Sequence, residues 1–158
     1  RGNQMKTLLV FSDSHNESLP PALYEAAKSA DYVLFLGDGI MGLKDFAATD
    51  NFLAVKGNCD FIEAEKEMLL NIEGVNVFMC HGDQYLVKND LLRLYFAAKE
   101  KGASLVLFGH THDSLDKTAD GIRFINPGSI SRPRLGHRSY AFITIKDRKI
   151  LNKIVEVH

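Results

Sequence analysis

The chain has 158 residues, 46% of them hydrophobic, and a formal net charge of −1. That length suits one domain with a sizeable core, and the near-balanced charge excludes a bulk polyanion binder while leaving room for a local cationic site. The longest apolar runs are four or five residues, as at Tyr32–Leu36, too short to span a bilayer, and no signal-peptide core is visible. The two cysteines, Cys59 and Cys80, make no disulfide framework, so a reducing cytoplasm is the expected location. Arg1-Gly2-Asn3-Gln4 precedes Met5 and reads as a cloning remnant, which sets the expected single domain at 5–158.

In chain order, Leu8-Leu9-Val10-Phe11 makes Lys6–Ser12 a buried strand, ending at Asp13-Ser14-His15-Asn16. Pro20-Pro21 opens a helix to Ser29, since proline is tolerated in the first turn. Tyr32–Leu36 is a second buried strand ending at Gly37-Asp38-Gly39, and Leu43–Ala48 a short helix. Phe52–Lys56 is a third strand, ending at Gly57-Asn58-Cys59-Asp60. Glu65–Ile72 and Val75–Cys80 read as strands about a Glu73-Gly74 turn, the second ending at His81-Gly82-Asp83. Asn89–Lys101 has the clearest helical period: Leu91, Leu92, Leu94, Tyr95 and Ala98 form its apolar face and Gly102 its cap.

Leu105–Phe108 is another buried strand and delivers Gly109-His110-Thr111-His112. Strand-like segments follow at Ser114–Ala119, Ile122–Asn126, Tyr140–Lys146 and Ile150–Val157, the last two alternating as antiparallel strands do. Strand–helix alternation followed by a strand-rich half predicts an α/β domain with sheets layered between helices and the polar motifs at one edge.

Five strand ends carry Asp, His or Asn: Asp13 and His15, Asp38, Asn58, His81, and His110 with His112. Turn chemistry explains a single Gly-Asp or Gly-Asn. It does not explain four of the six histidines gathering in these positions. The mixed nitrogen and oxygen set suits first-row divalent metals. Seven donors exceed one ion's needs, whereas two ions sharing a bridging carboxylate would use them all. Two metals about 3.5–4 Å apart clamp a phosphoester and lower the pKa of a shared water, whose hydroxide then attacks phosphorus in line.

These motifs, in this order, resemble the calcineurin-like metallophosphoesterase superfamily, and Gly57-Asn58-Cys59-Asp60 and Asn126-Pro127-Gly128-Ser129 are similar to its small single-domain prokaryotic phosphodiesterases. The resemblance implies a four-layer α/β/β/α sandwich of two mixed sheets flanked by helices. It implies a hydrolase with a dinuclear site, manganese foremost, with nickel, zinc, iron, cobalt or magnesium as alternatives. Position by position, Asp13, His15 and His112 would bind one ion, Asn58, His81 and His110 the other, and Asp38 both. Asp38, Asn58 and His81 would act in catalysis through the metals.

Cys59 departs from the many members with a leaving-group-protonating histidine there; a thiol is a weak general acid, so aryl phosphodiesters with good leaving groups are expected. Asp60 reads equally as a residue orienting this loop or as a turn aspartate. Arg132 and Arg134 are candidate substrate contacts, because arginine matches phosphate oxygens. Gly37-Asp38-Gly39-Ile40-Met41-Gly42 matches a dinucleotide fingerprint. The Asp38 carboxylate opposes a pyrophosphate, however, and Leu43–Asn51 is too short for a crossover helix.

The expected activity is divalent-metal-dependent hydrolysis of a small phosphodiester. The alternative is a metal-binding interaction scaffold of the same fold with little or no catalysis. No membrane partner is expected and a nucleic-acid polymer is disfavoured, for want of an aromatic-rich basic patch. Homo-oligomerisation stays open.

Overall fold

The computed structural model describes residues 4–158; of the four residues read as a cloning remnant, 1–3 lie outside the described residues. The chain forms β1 (Met5–Phe11), α1 (Pro21–Lys28), β2 (Tyr32–Phe35), α2 (Lys44–Ala47), β3 (Phe52–Ala54), β4 (Glu67–Ile72) and β5 (Val75–Cys80). It continues through α3 (Leu92–Glu100), β6 (Leu105–Leu107), β7 (Ser114–Ala119), β8 (Ile122–Pro127), β9 (Arg138–Lys146) and β10 (Lys149–Val157). Short 3-10 turns at Ile40–Gly42 and Asp83–Tyr85 were not foreseen from the sequence.

The strands make two mixed five-stranded sheets, ordered β10-β9-β1-β2-β3 and β4-β5-β6-β8-β7. β1, β2 and β3 run parallel in the first, and β5, β6 and β8 in the second; the outer pairings are antiparallel. Period-two alternation assigns each strand's two faces. Leu8, Val10, Leu34, Leu36, Val77, Met79, Leu105 and Leu107 point into the core between the sheets. Leu9, Phe11, Val33 and Phe35 pack outward with Leu23 of α1 and Phe46 of α2. Phe78, Cys80, Val106 and Phe108 do the same on the other sheet, with Leu94 and Ala98 of α3. Strands buried on both faces read as unbroken apolar runs, which is why β1, β2, β5 and β6 are plain in the sequence. Each fully buried Leu or Phe contributes about 1.5–3 kcal/mol.

α3 begins later than its apolar period suggests. The Asp90 carboxylate accepts the Leu92 amide at 3.0 Å and starts the helix there. Leu92, expected on the apolar face, is 56% exposed; Leu94 and Ala98 carry the burial. Gly102, at φ +69°, ends the helix as expected.

Among the described residues, no helix is long and apolar enough to cross a membrane.

Candidate metal centre

Parallel strands put their carboxyl ends on one edge, and there the backbones of neighbouring strand ends within each sheet are tied together. Asp13 N–H donates to the Gly37 carbonyl at 2.9 Å, His15 N–H to Asp38 at 2.8 Å, and Gly109 N–H to His81 at 2.9 Å. Asp13, His15, Asp38, His110 and His112 all sit in the left-handed region, at φ 58°, 49°, 65°, 72° and 63°. Left-handed backbone at non-glycine residues costs about 1–3 kcal/mol each and collects at functional sites.

Asp13 is fully buried. Its Oδ2 accepts the Ser12 hydroxyl at 2.5 Å and the His110 amide at 3.2 Å. Its Oδ1 has no hydrogen-bond partner among the described residues. That oxygen faces imidazole nitrogens instead: His112 Nε2 at 3.2 Å, His81 Nε2 at 3.8 Å and His15 Nε2 at 3.9 Å. His15 and His112 Nε2 lie 3.3 Å apart, and His110 Nδ1 lies 3.2 Å from His81 Nε2. Asp38 Oδ2 is 3.1 Å from His81 Nε2.

The donors fall into two principal groups, Asp13–His15–His112 and Asp38–His81–His110, each with ligand atoms within 4.8 Å of one another; a third, His15–Asp38–Cys59, overlaps them. His110 and His112 thus turn to different groups, as two residues of one motif on a glycine-hinged strand end can do.

Backbone carbonyls orient the rings. Leu36 O accepts from His81 Nδ1 at 2.7 Å and Arg132 O from His112 Nδ1 at 2.7 Å, leaving each Nε2 aimed inward. Burial works against ionising Asp38. The hydrogen bond and charge of His81, helped by the Cys59 amide, outweigh it and hold the carboxyl at about 2. Burial pulls His15 and His110 below the ordinary imidazole value. His112 is raised by the Asp13 carboxylate it faces, and His81 is raised because the Asp38 and Asp13 carboxylates overcome its burial. Desolvation, then the Asp38 carboxylate, push the Cys59 thiol up.

Asn58 is exposed, with its amide nitrogen 3.7 Å from Cys59 Sγ. Arg132 pairs with Glu17 at 2.5 Å, while Arg134 reaches Asp113 at 3.3 Å. Asp60 clamps two loops: its carboxylate accepts the amides of Asp38, Gly39, Ile40 and Gly57 at 2.8–3.1 Å. Asn126 donates to Gly109 O and Thr111 Oγ1, each at 3.1 Å, and the Ser129 and Ser131 hydroxyls hold the Asp13 carbonyl at 2.9 and 2.7 Å. Ser12 is the supporting residue that sequence reasoning missed. Its one signal is a hydroxyl closing an apolar strand directly before a buried aspartate. Gly109 must be glycine, since a Cβ there would fall 2.1 Å from Ser12 Oγ and 2.8 Å from Asp13 Oδ2.

A carboxylate–imidazole cluster at the strand ends of a two-sheet sandwich defines a metallophosphoesterase type of site. The family model of the calcineurin-like phosphoesterase superfamily domain matches residues 5–148, and the chain belongs to that family. It is 33% identical over 144 residues to the probable metallophosphoesterase YsnB of Bacillus subtilis, over 89% of this chain and 85% of that one. A predicted phosphoesterase from Streptococcus pneumoniae has a crystal structure that matches with a TM-score of 0.84 at 27% identity, covering 97% of this chain and 90% of that one. Vacuolar Protein Sorting 29 from Cryptosporidium parvum, 19% identical, shares the fold with a TM-score of 0.79, covering 97% of this chain and 98% of that one.

Proposed function

We propose that the chain is a cytoplasmic, divalent-metal-dependent phosphodiesterase with a dinuclear centre. Asp13, His15 and His112 would hold one ion, Asn58, His81 and His110 the other, and Asp38 would bridge them, with manganese the first candidate. The observation that carries this reading is Asp13 Oδ1, a buried carboxylate oxygen without a hydrogen bond. Leaving such an oxygen unpaired is costly, and a cation ringed by the facing nitrogens satisfies it. The donor chemistry fits: carboxylate, amide and imidazole with no obligatory thiolate is a set for Mn²⁺, Fe²⁺, Co²⁺, Ni²⁺ or Zn²⁺. When bound, two such ions supply a nucleophile from water near neutral pH and neutralise the nonbridging phosphate oxygens.

The remaining work falls to the chain. Ser12 and the His110 amide fix one oxygen of Asp13 so that the other points at the centre. Asp60 keeps the Asn58–Cys59 loop against the Asp38 loop. Cys59 occupies the position from which many family members protonate the leaving group, and a thiol does this poorly. The expected substrate is therefore a diester whose leaving group needs no proton, an aryl phosphodiester.

Chelation followed by metal add-back tests the reading. Turnover of bis(4-nitrophenyl) phosphate should vanish with the metal and return with Mn²⁺; turnover that survives complete removal overturns it. Equal rates on aryl and alkyl diesters would remove the leaving-group argument alone. Cys59 also favours a second reading, an interaction scaffold on this fold; bound metal with no hydrolysis of any diester would select it.

A further inference from the structure

Two cavities that share Lys88, Thr111 and Arg134 open beside the histidines. The one over His110 and His112 holds about 490 Å³. Its neighbour, about 240 Å³, runs on to an apolar floor of Val87, Leu91, Phe108 and Leu115. Pockets that take a whole small ligand hold about 300–1,000 Å³, so the second cavity suits one substituent of a larger substrate.

The walls are built by the loops after β5, β6 and β8 and by the start of β7. Gly82 has φ +109°, and a Cβ there would lie 2.9 Å from Val87 Cγ2. Its absence lets Val87 pack to 5% exposure in the same cluster as Phe108. Leu86, left-handed at φ 52°, turns the chain into this position, and the next residue after Val87, Lys88, stands exposed at the cavity mouth. Lys88 makes no ion pair among the described residues. On the facing wall the Arg134 amide donates to the His112 carbonyl at 3.1 Å. Its guanidinium is steadied by Asp113 at 3.3 Å. Lys88, Arg134 and Asp113 together leave the mouth with one net positive charge.

Resting on the phosphodiesterase reading, we propose that this second cavity is the specificity subsite for the non-leaving arm of the diester. The arm it fits is a single ring bearing an anionic group, the ring on the apolar floor and the anion between Lys88 and Arg134. Arg132, spent on Glu17, takes no part.

The test holds the leaving group constant. In a series of 4-nitrophenyl phosphodiesters the second substituent is methyl, phenyl or 4-carboxyphenyl. For the unaltered enzyme kcat/KM should rise about tenfold from methyl to phenyl and about tenfold again to 4-carboxyphenyl. Each tenfold step is about 1.4 kcal/mol, the scale of one good contact. Lys88→Ala should cancel the carboxylate step and keep the phenyl step, with Lys88→Arg restoring the former; Ser114→Trp, at the cavity wall, should cancel the phenyl step. Equal kcat/KM across the series, or a carboxylate step intact in the Lys88→Ala/Arg134→Ala double variant, overturns the subsite.

If no diester is hydrolysed, the phosphodiesterase reading fails, and calorimetry on the metal-loaded protein still reads the subsite. There 4-carboxyphenylphosphonate should bind about tenfold tighter than phenylphosphonate, a margin lost in Lys88→Ala. Equal affinities, or no binding of either, overturn the proposal.

Discussion

Both edges of the sandwich are rich in left-handed residues, for different physical reasons. At the edge away from the histidines, Glu73-Gly74, Asp120-Gly121 and Asp147-Arg148 all have positive φ and link antiparallel partners. Two central residues at positive φ match the twist of a tight hairpin, and these side chains lie wholly or partly in solvent. At the other edge, Asp13 and Asp38 adopt the same backbone state with 0% and 2% exposure, inside loops that follow parallel strands. No hairpin demands it there. The strain turns buried donors toward a common centre, so convergence and burial, rather than the dihedral itself, separate a site from a turn.

The largest effect should come from breaking that convergence. Asp38→Asn removes the carboxylate proposed to bridge the two ions, and kcat/KM for an aryl diester should fall by at least about a thousandfold as both are lost. His15→Ala should lower metal content by about one ion per chain. Elemental analysis beside kinetics checks both, and full metal content in Asp38→Asn would remove its bridging role.

A smaller loss separates the support from the donors. Asp60→Ala leaves four backbone amides without their acceptor. Each unsatisfied amide costs about 1–3 kcal/mol before water enters, so a net loss of about 3 kcal/mol and a melting temperature lower by about 6–12 °C are expected. An unchanged melting temperature would return Asp60 to an ordinary turn aspartate.

How much of this was legible follows from how each feature is encoded. Leu8–Phe11 and Leu105–Phe108 announce themselves because both strand faces are buried. The donors announce themselves because histidine is not a turn residue. What supports them is carried by residues whose role exists only across the fold. Ser12 is an ordinary serine until Gly109, nearly a hundred residues away, leaves space beside it. Asp60 reads as a turn aspartate until its partners on the Asp38 loop are in place. Lys88 has no signal at all; a lone lysine gains meaning from the Gly82–Val87 contact that sets it by the histidines. α3 starts at Leu92 rather than Asn89 because the Asp90 carboxylate, accepting the Leu92 amide, overrides an apolar period that includes the exposed Leu92.

Carboxylates sharpen the same contrast under acid. Asp13 has an oxygen to spare, whereas Asp116 uses both: Arg123 Nε and Nη2 donate at 2.9 and 2.8 Å and the Asn152 amide at 3.0 Å. Arg123 also donates to the Ile150 carbonyl, so the group ties β7 and β8 to β10 of the other sheet. The Arg123 hydrogen bond, working against partial burial, lowers the Asp116 pKa. A depressed folded pKa means that the stabilisation is complete above the unfolded value of about 3.9 and is lost as pH falls through the folded value. Denaturant titrations between pH 5 and 2 should show that loss, on the order of 1 kcal/mol for a half-exposed pair, and Asp116→Asn should flatten it. An identical acid slope in the variant would assign the loss elsewhere.

The smallest effect belongs to the hairpin edge. Arg148 is left-handed at φ 64° and exposed, in a two-residue turn between β9 and β10. Arg148→Gly relieves the left-handed cost but adds backbone freedom to the unfolded chain, and the two terms nearly offset. Stability should stay within about 0.5 kcal/mol, with metal content unchanged. His112→Gly makes the same backbone exchange at φ 63° and should instead deplete the ion held with Asp13 and His15. If the two glycine variants behave alike, the left-handed residues at the histidine edge are turn chemistry after all, and the argument from convergence fails.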